Sequence, residues 1–577
     1  MSISTAGAES DGHSALGSPN VNRNFLSADG RIVAFFSSAS NLVPNDTNGV
    51  SDIFVRNRDG GTTTRVSVDS TGVQGNGASS DPAVSADGRY IVFASVSSNL
   101  VAGDTNGKID IFLHDRTLGT TGRLSTDSNG LQGNGDCGRP DISADARFVV
   151  FHSLSSNLAP QDTNSTQDVF VKDRLTGITN CLSIDGSGVC GNAFSGNPAI
   201  SAGGRYVAFH SAATNLVTGD TNGAVDVFVR DRGTFTTTRV STSTQDDEGD
   251  FASQTPSISA DGRYVAFSSA ATNLVPADTN NLFDVFRKDR VSGETVRASV
   301  NSSLVQGNSV SQNGSISADG RFIAFISSAT NLVPNDTNGG VFNLNTDIFV
   351  RDMIFKQTSR LSVDSNGVEG DLGGSSYNAC IAADASTVAF YSAATNLAPG
   401  DTNGFTDVFV RGCGGPPSPT TYCWGDGSFT ACPCGNAGQS ERGCQNSFLT
   451  GGGFIAGSGT SRVSNDTFTI GLSGLPPSAA VLIFQGDQQF AGGAGTPFGD
   501  GLLCVSGAVV RLGVRFCVGG ATNLGVGAGD TPLSITGLIP TGTVAIRFYQ
   551  GWYRDVATYC TSDLYNLTSG LIVTWTP

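Results

Sequence analysis

The chain has 577 residues, 75 of them Gly, with 33 Lys plus Arg against 50 Asp plus Glu and a formal net charge of −17. That balance excludes a nucleic-acid partner, because neutralising phosphates takes a basic surface. Apolar runs fall short of the ~20 residues that span a bilayer, and Met1-Ser2-Ile3-Ser4 lacks the charged and apolar regions of an export signal.

The string Ser-Ala-Asp-Gly-Arg begins at Ser27 and returns at Ser85, Ser259 and Ser317, with looser copies at Ser143 and Ser201 and a degenerate one at Ala382. Five steps of 58 residues are followed by one of 65, most of the excess carried by the insertion Gly340-Val341-Phe342-Asn343-Leu344. A fixed period of this length marks a repeat array. Each unit predicts four short strands, in the fifth at 257–259, 264–267, 284–287 and 295–300, bounded by Gly, Asn, Asp or Pro. The second and third strands are apolar on both faces, as in Ile32-Val33-Ala34-Phe35-Phe36, so both faces are covered. Radially stacked four-stranded units make a propeller.

The seventh unit has strands at Val388-Ala389-Phe390 and Asp407-Val408-Phe409-Val410, then stops at Arg411-Gly412-Cys413. Ser2-Ile3-Ser4-Thr5 is expected to supply its fourth strand and so remove an open sheet edge. The expected fold is all-β: a seven-bladed β-propeller over 1–413 closed by the N-terminal strand, a Pro-rich linker over 414–421, and a smaller disulfide-rich β-sandwich over 422–577.

The pattern Ser-x-Asp-Gly-Arg-φ-φ-Ala-Phe followed by Asp-φ-Phe-φ-Arg-Asp, where φ is apolar, resembles the TolB-type propeller repeat over roughly residues 1–413. This chain differs in having seven units rather than that family's usual six. Its blades are also longer, with Asn-Leu-Val-Pro-x-Asp-Thr-Asn-Gly between strands two and three. The family spans periplasmic interaction proteins and propellers attached to peptidases, so the resemblance implies a fold and leaves the activity open.

Connections alternate between the faces of such a disc. The Ala-Asp-Gly and Asp-Arg-x-x-Gly turns share one face, and the long loops share the other, where function is expected. On the loop face Asp-Thr-Asn recurs seven times, each followed by a further Asp. The sets are Asp46, Asn48 and Asp52; Asp104, Asn106 and Asp110; Asp162, Asn164 and Asp168; Asp220, Asn222 and Asp226; Asp278, Asn280 and Asp284; Asp336, Asn338 and Asp347; and Asp401, Asn403 and Asp407. Alternating oxygen ligands with a second carboxylate suit calcium. Asp and Asn also cap turns through their own backbone, and that reading takes precedence. Catalysis ranks below both, because a catalytic centre appears once and this motif appears seven times.

On the turn face Arg58, Arg116, Arg174, Arg232 and Arg290 are expected to pair with the Asp of the Ser-Ala-Asp-Gly turns. His114 stands where other units have Arg or Lys and reads as a surface cation. His152 and His210 share one slot in neighbouring units, where packing is favoured over a shared metal. The chain lacks the Gly-x-Ser-x-Gly, His-Glu-x-x-His and phosphate-loop motifs. Asp246-Asp247-Glu248-Gly249-Asp250 interrupts the repeat and could offer paired carboxylates for glycoside cleavage, although a solvated loop is preferred.

Beyond Pro416-Pro417-Ser418-Pro419 the composition changes. Eight of the 12 Cys lie at 413, 423, 432, 434, 444, 504, 517 and 560, a density that points to disulfides and an oxidising compartment rather than zinc. Cys181 and Cys190 could form a local bridge. Tyr422-Cys423-Trp424-Gly425-Asp426-Gly427 with Cys432-Pro433-Cys434-Gly435-Asn436 resembles a Cys-rich C-terminal module of secreted bacterial repeat proteins. Trp424, Trp552 and Tyr553 could stack on sugars or pack in the core. The expected function is an exported, monomeric, non-catalytic scaffold, extracellular, at the cell surface or periplasmic, binding a protein or glycan with its loop face and optionally held by calcium. The alternative is a propeller enzyme that degrades polysaccharide.

Overall fold

The computed structural model describes the chain except residues 18–23, 161, 340–344, 372, 413–419, 423–431, 433–441, 445, 447–451, 459–460, 462, 464–465, 490–494, 499–500, 526–528, 541–544, 556–564 and 576–577. It divides into two compact units, Met1–Cys413 and Gly414–Pro577. Among the described residues the one α-helical segment is Leu533–Thr536, and the remaining elements are strands.

In the first unit, six four-stranded sheets and one three-stranded sheet follow the chain order, each an antiparallel meander. The fifth repeat runs through Ser253–Ile258, Tyr264–Ser269, Asp284–Asp289 and Thr295–Arg297. The recurring Phe of strands two and three explains why these strands pair in one register. Phe267 lies opposite Phe286, and the equivalent rings stack at 5.8–6.0 Å in every repeat, Phe35 with Phe54 through Phe390 with Phe409. Both faces of these strands are buried, as their two-sided apolar pattern demands. The architecture is that of a β-propeller.

The glycine of each Asp-Gly turn locks one sheet against the sheet before it. Gly262 has φ +75°, and a Cβ there would stand 2.1 Å from the Tyr206 ring of the preceding repeat. Both the left-handed backbone and the close approach demand Gly. Gly30 of the first repeat meets Thr387 of the last in the same way.

First strands line a central channel through Leu26, Val84, Ile142, Ile200, Ile258, Ile316 and Ile381, with Ala28, Ala86, Ala144, Ala202, Ala260, Ala318 and Ala383 at its turn-side mouth. There the backbone N–H of Ala28 donates to Ala86, Ala86 to Ala144, Ala144 to Ala202, Ala202 to Ala260, Ala260 to Ala318 and Ala318 to Ala383. The Asp384 N–H donates back to Ala28.

The N-terminal segment occupies a different register from the one expected. The Ser2 hydroxyl bonds Asp407 and accepts from the Val408 N–H, as Ser67 does with Asp52 and Ile53 in the first repeat. Met1 donates to the Val408 carbonyl, the place of Val66 on Ile53. Residues 2–5 therefore correspond to 67–70, which follow the fourth strand Thr62–Arg65, and the last sheet has three strands. The segment goes on to repeat the connection between repeats. Asp11 accepts from the Ser40 N–H and its own N–H donates to Asn41, as Asn76 does with Ser98 and Asn99.

The inner strand of the first repeat is interrupted. Ser14–Ala15 and Leu26 pair with strand two at positions that Ser79–Val84 spans continuously in the second repeat. Gly17 and Asn24, at the edges of 18–23, are held by Asn378 of the seventh repeat and Asp141 of the third. The 340–344 insertion lies outside the described residues.

In the second unit, one sheet joins Thr420–Tyr422, Gly570–Trp575, Ala545–Arg554, Ala480–Gly486 and Val510–Phe516, and another joins Phe454–Ser458, Thr469–Ser473 and Thr522–Gly525. They share a core that includes Ile455, Ile470, Val481, Ile483, Tyr549, Val573 and Trp575. The expected linker ends inside this unit, since Thr420 and Thr421 pair with the C-terminal strand. Cys432 and Cys444 form a disulfide, and Cys504 is also bridged. Cys517 is a buried thiol within the core, where it packs as a small apolar side chain. Cys413, Cys423, Cys434, Cys560 and Trp424 lie outside the described residues. Tyr553 is core rather than sugar platform, its hydroxyl accepting from Asn446, while Trp552 stays partly exposed beside Tyr565.

Candidate functional site

The seven Asp-Thr-Asn motifs lie where the loop between strands two and three meets the connection to the next repeat. In the first, Asn48 donates to Asp52 at 3.0 Å and to the Gly75 carbonyl at 2.9 Å, while its own carbonyl accepts from the Val50 N–H at 3.1 Å. Asn106, Asn164, Asn222 and Asn280 repeat this set. Asn403 donates to Asp407 and to the Ser10 carbonyl, and Asn338 to Gly370. The second Asp is held by a serine one strand away, at 2.5 Å for Ser67 on Asp52, Ser183 on Asp168, Ser241 on Asp226, Ser299 on Asp284 and Ser362 on Asp347. Ser125 holds Asp110 likewise. Despite the insertion before it, Asp347 sits in the common register.

The sequence motif does not contain what joins the two carboxylates. In five repeats an arginine from the fourth strand reaches both. Arg65 lies 3.3 Å from Asp46 and 3.5 Å from Asp52. Arg123 lies 3.2 Å from Asp104 and 3.4 Å from Asp110. Arg297 lies 3.4 Å from Asp278 and 3.7 Å from Asp284, and Arg360 lies 3.3 Å from Asp336 and 3.5 Å from Asp347. Arg239 lies 3.7 Å from Asp220 and 3.6 Å from Asp226, and also pairs with Glu248. In these five repeats the arginine stands before the Val-Ser, Leu-Ser or Ala-Ser that ends the unit, a signal readable in the sequence once the partner is known. Burial, with the second Asp close by, raises the pKa of Asp46 and Asp104, and takes Asp220 and Asp336 to about 6. Asp401 is likewise pushed to about 6 by burial and by Asp407 and Glu9.

The acidic stretch 246–250 keeps the common register and does not present a carboxylate pair. Glu248 belongs to the Arg239 cluster, Asp250 holds the Thr272 N–H and hydroxyl, and Asp247 accepts from Ser243.

On the turn side the expected arginines donate to backbone rather than to carboxylates: Arg58 to Gly30, Arg116 to Gly88, Arg174 to Ala146, Arg232 to Gly204 and Arg290 to Gly262. The ion pairs are made instead by the arginine that ends the Ser-Ala-Asp-Gly-Arg string. Arg205 grips Asp231 with Nε and Nη2, both at 2.8 Å, and Arg89, Arg147, Arg263 and Arg321 do the same with Asp115, Asp173, Asp289 and Asp352. These partners hold Asp115 and Asp173 down to about 2, and push Asp231 and Asp289 lower still. His114 is 6% exposed and 2.9 Å from Thr121, so it is not a surface cation, and burial lowers its pKa. Its slot is internal, filled elsewhere by Lys172 on Thr179 and Arg230 on Thr237.

The loop side of the channel does not repeat. His152 pairs across strands with Gly138, and His210 with Gly196. A Cβ on Gly138 would stand 2.8 Å from His152 Nε2. One on Gly196 would stand 3.3 Å from His152 Nδ1 and from His210 Nε2. The glycines are thus what lets the two imidazoles fold over the inner strands. The same slots hold Gln254 with Ser268 and Tyr377 with Tyr391 in other repeats. Gln167 lies 3.2 Å from His152, Phe194 meets His210 edge-on, and Arg139 donates to Asn197. Arg139 and Asn197 have positive φ, +50° and +47°, as do Asp81, Thr255, Asn313 and Asn378 at the same bulge of the inner strand, so this backbone belongs to the repeat. The glycines that accompany His152 and His210, Gly138 and Gly196, are a signal present in the sequence.

No family model matches the sequence, and no curated protein matches it. Solved structures similar to this chain include TolB from Acinetobacter baumannii, at 16% identity and TM-score 0.32, covering 60% of this chain and 62% of that one. An oligogalacturonate lyase from Vibrio parahaemolyticus matches at 12% identity and TM-score 0.43, covering 70% and 91%. A TolB homologue from Agrobacterium tumefaciens matches at 13% and 0.33, covering 61% and 94%. The chain spans less than two thirds of the first of these.

Proposed function

We propose that residues 1–413 close into a seven-bladed propeller serving as an exported, non-catalytic binding scaffold, with its ligand taken on the loop side above repeats three and four. Closure is supported by the Ala-to-Ala hydrogen bonds that return from Asp384 to Ala28. The packing of Gly30 on Thr387 and the bonds from the N-terminal segment to Asp407 and Asn41 support it as well. Export is supported by the Cys432–Cys444 disulfide.

The observation that carries the binding reading is the coupled departure from the repeat at Gly138 with His152 and Gly196 with His210. Imidazole, the Gln167 amide and the Arg139 guanidinium present polar donors, and the 42% exposed Phe194 adds an apolar edge. Such a surface suits a glycan or a protein segment rich in hydroxyl and carboxylate groups. The Asp-Thr-Asn loops are read as structural wherever an arginine supplies the positive charge a calcium ion would bring.

The test is a glycan and peptide array probed with the full chain. Replacing His152 and His210 with Ser, the residue of the fifth repeat, should weaken the ligand found by roughly tenfold or more and leave the unfolding midpoint unchanged. Unchanged affinity would refute this site. A second reading, a polysaccharide-degrading enzyme, is favoured by the same lack of repetition at His152 and His210. It requires new reducing ends or unsaturated products from a bound polysaccharide, and binding without turnover rejects it.

A further inference from the structure

The third repeat breaks the arginine rule. The slot held by Arg65, Arg123, Arg239, Arg297 and Arg360 is Cys181, and the slot held by Gln74, Gln132, Glu248, Gln306 and Glu369 is Cys190. Both carboxylates of the motif remain. Asp168 is fully buried and Asp162 is 6% exposed. Two buried acids thus face a position from which the repeat has removed its cation, and leaving such charge uncompensated is costly.

What stands there instead has the chemistry of a metal site. Asp168, Cys181 and Cys190 place one ligand atom each within 4.8 Å of one another. The two sulfurs are 3.9 Å apart and belong to thiols, so the bridge considered from the sequence is not formed. A disulfide would need about 2.05 Å. Two thiolates at about 2.3 Å from one zinc ion and 3.9 Å from each other subtend roughly 116°, close to tetrahedral. Neither oxygen of Asp162 has a hydrogen-bond partner, whereas Asp168 is braced by Ser183 and Asn164. An unpartnered buried carboxylate in the same motif as Asp168 is the observation that separates this cluster from an ordinary acidic one.

We propose that the third repeat binds one divalent thiophilic cation of the zinc class through Cys181, Cys190, Asp168 and Asp162, the metal replacing the guanidinium of the other repeats. Thiolate sulfur selects zinc or cobalt over calcium, which takes oxygen ligands. Binding displaces the two thiol protons to solvent, so the metal's two positive charges replace two protons and the cluster keeps its net charge.

The other repeats supply the control. Cys181→Arg with Cys190→Gln rebuilds the layout of the first repeat and should fold without metal. The full chain is stripped with chelator under mild reduction and titrated with cobalt(II), then with zinc(II). The wild type should show the thiolate charge-transfer and tetrahedral d–d bands at one cobalt per chain, lost on adding zinc, and zinc should raise its unfolding midpoint. The double variant should show neither response, with a midpoint at least equal to that of the metal-free wild type. Absence of the bands in the wild type overturns the proposal. So do equal bands in the variant, which would place the metal on other cysteines. A Cys181–Cys190 disulfide in the chain as isolated, with no cobalt uptake after its reduction, overturns it as well.

Discussion

On the loop side of the repeats, arginine lies between two Asp carboxylates whose side chains are at most 5% exposed, in the Asp pairs made by Arg65, Arg123, Arg297 and Arg360. On the turn side, Arg89, Arg147, Arg205 and Arg263 are 35–52% exposed. The residue types are the same, and so is their repetition. Burial separates them: inside, the arginine neutralises charges that cannot reach water, and outside it adds a screened contact to a turn already capped by the same Asp. The pKa shifts follow this division, upward for Asp46, Asp104, Asp220, Asp226, Asp284, Asp336 and Asp347 inside and downward for Asp115, Asp173, Asp231 and Asp289 outside.

Removing an inner arginine should give the largest effect. Arg239→Ala strands Asp220, Asp226 and Glu248 together and should destabilise the first unit by about 3 kcal/mol or more in denaturant unfolding at neutral pH. Added calcium should raise the midpoint of this variant and leave the wild type unmoved. A wild-type response equal to the variant's would reinstate calcium in these loops.

The pH profile tests the same comparison without mutation. Asp220, Asp336 and Asp401 bind protons more tightly folded, at about 6, than unfolded. Their contribution therefore favours folding increasingly as pH falls from about 6 towards 4. Asp115 and Asp173, depressed to about 2, contribute stability above about 4 that is lost as pH falls towards 2. The thermal midpoint should peak near pH 4 to 5, and a plateau from 5 to 8 would contradict the buried assignments.

Smaller effects follow. Ser241→Ala removes a 2.5 Å hydrogen bond to Asp226 and the acceptor of the Val227 N–H, and should cost about 1–3 kcal/mol. Arg205→Ala on the turn side should cost under about 1 kcal/mol, less at high salt. A cost as large as that of Arg239→Ala would erase the distinction between the two sides.

Much of this was legible in the chain itself. A 58-residue period with two-sided apolar strands required sheets covered on both faces, and Asp-Gly turns required positive φ and close packing. Asp46, Asn48 and Asp52 and their equivalents were recognisable as one cluster because in six of the seven repeats they lie within seven residues of each other. Arg65 was not, because it joins them from another strand. The slot of His114 looked external because Arg and Lys fill it elsewhere, yet long cationic side chains also bond to internal carbonyls and hydroxyls, as Lys172 does. Register placed Ser2 with Ser67, and its bond to Asp407 is a contact across 405 residues that no local pattern expresses.

The sequence by itself therefore determined the repeat, its strands, its turns and the acidic motif, all of which rest on local periodicity and backbone preference. Only the tertiary structure decided which charge each arginine meets, that Gly138 and Gly196 make room for two histidines, and that Cys181 and Cys190 stand where a cation belongs. Those outcomes depend on which strands become neighbours and how far water is excluded between them, and neither is written in the spacing of residues along the chain.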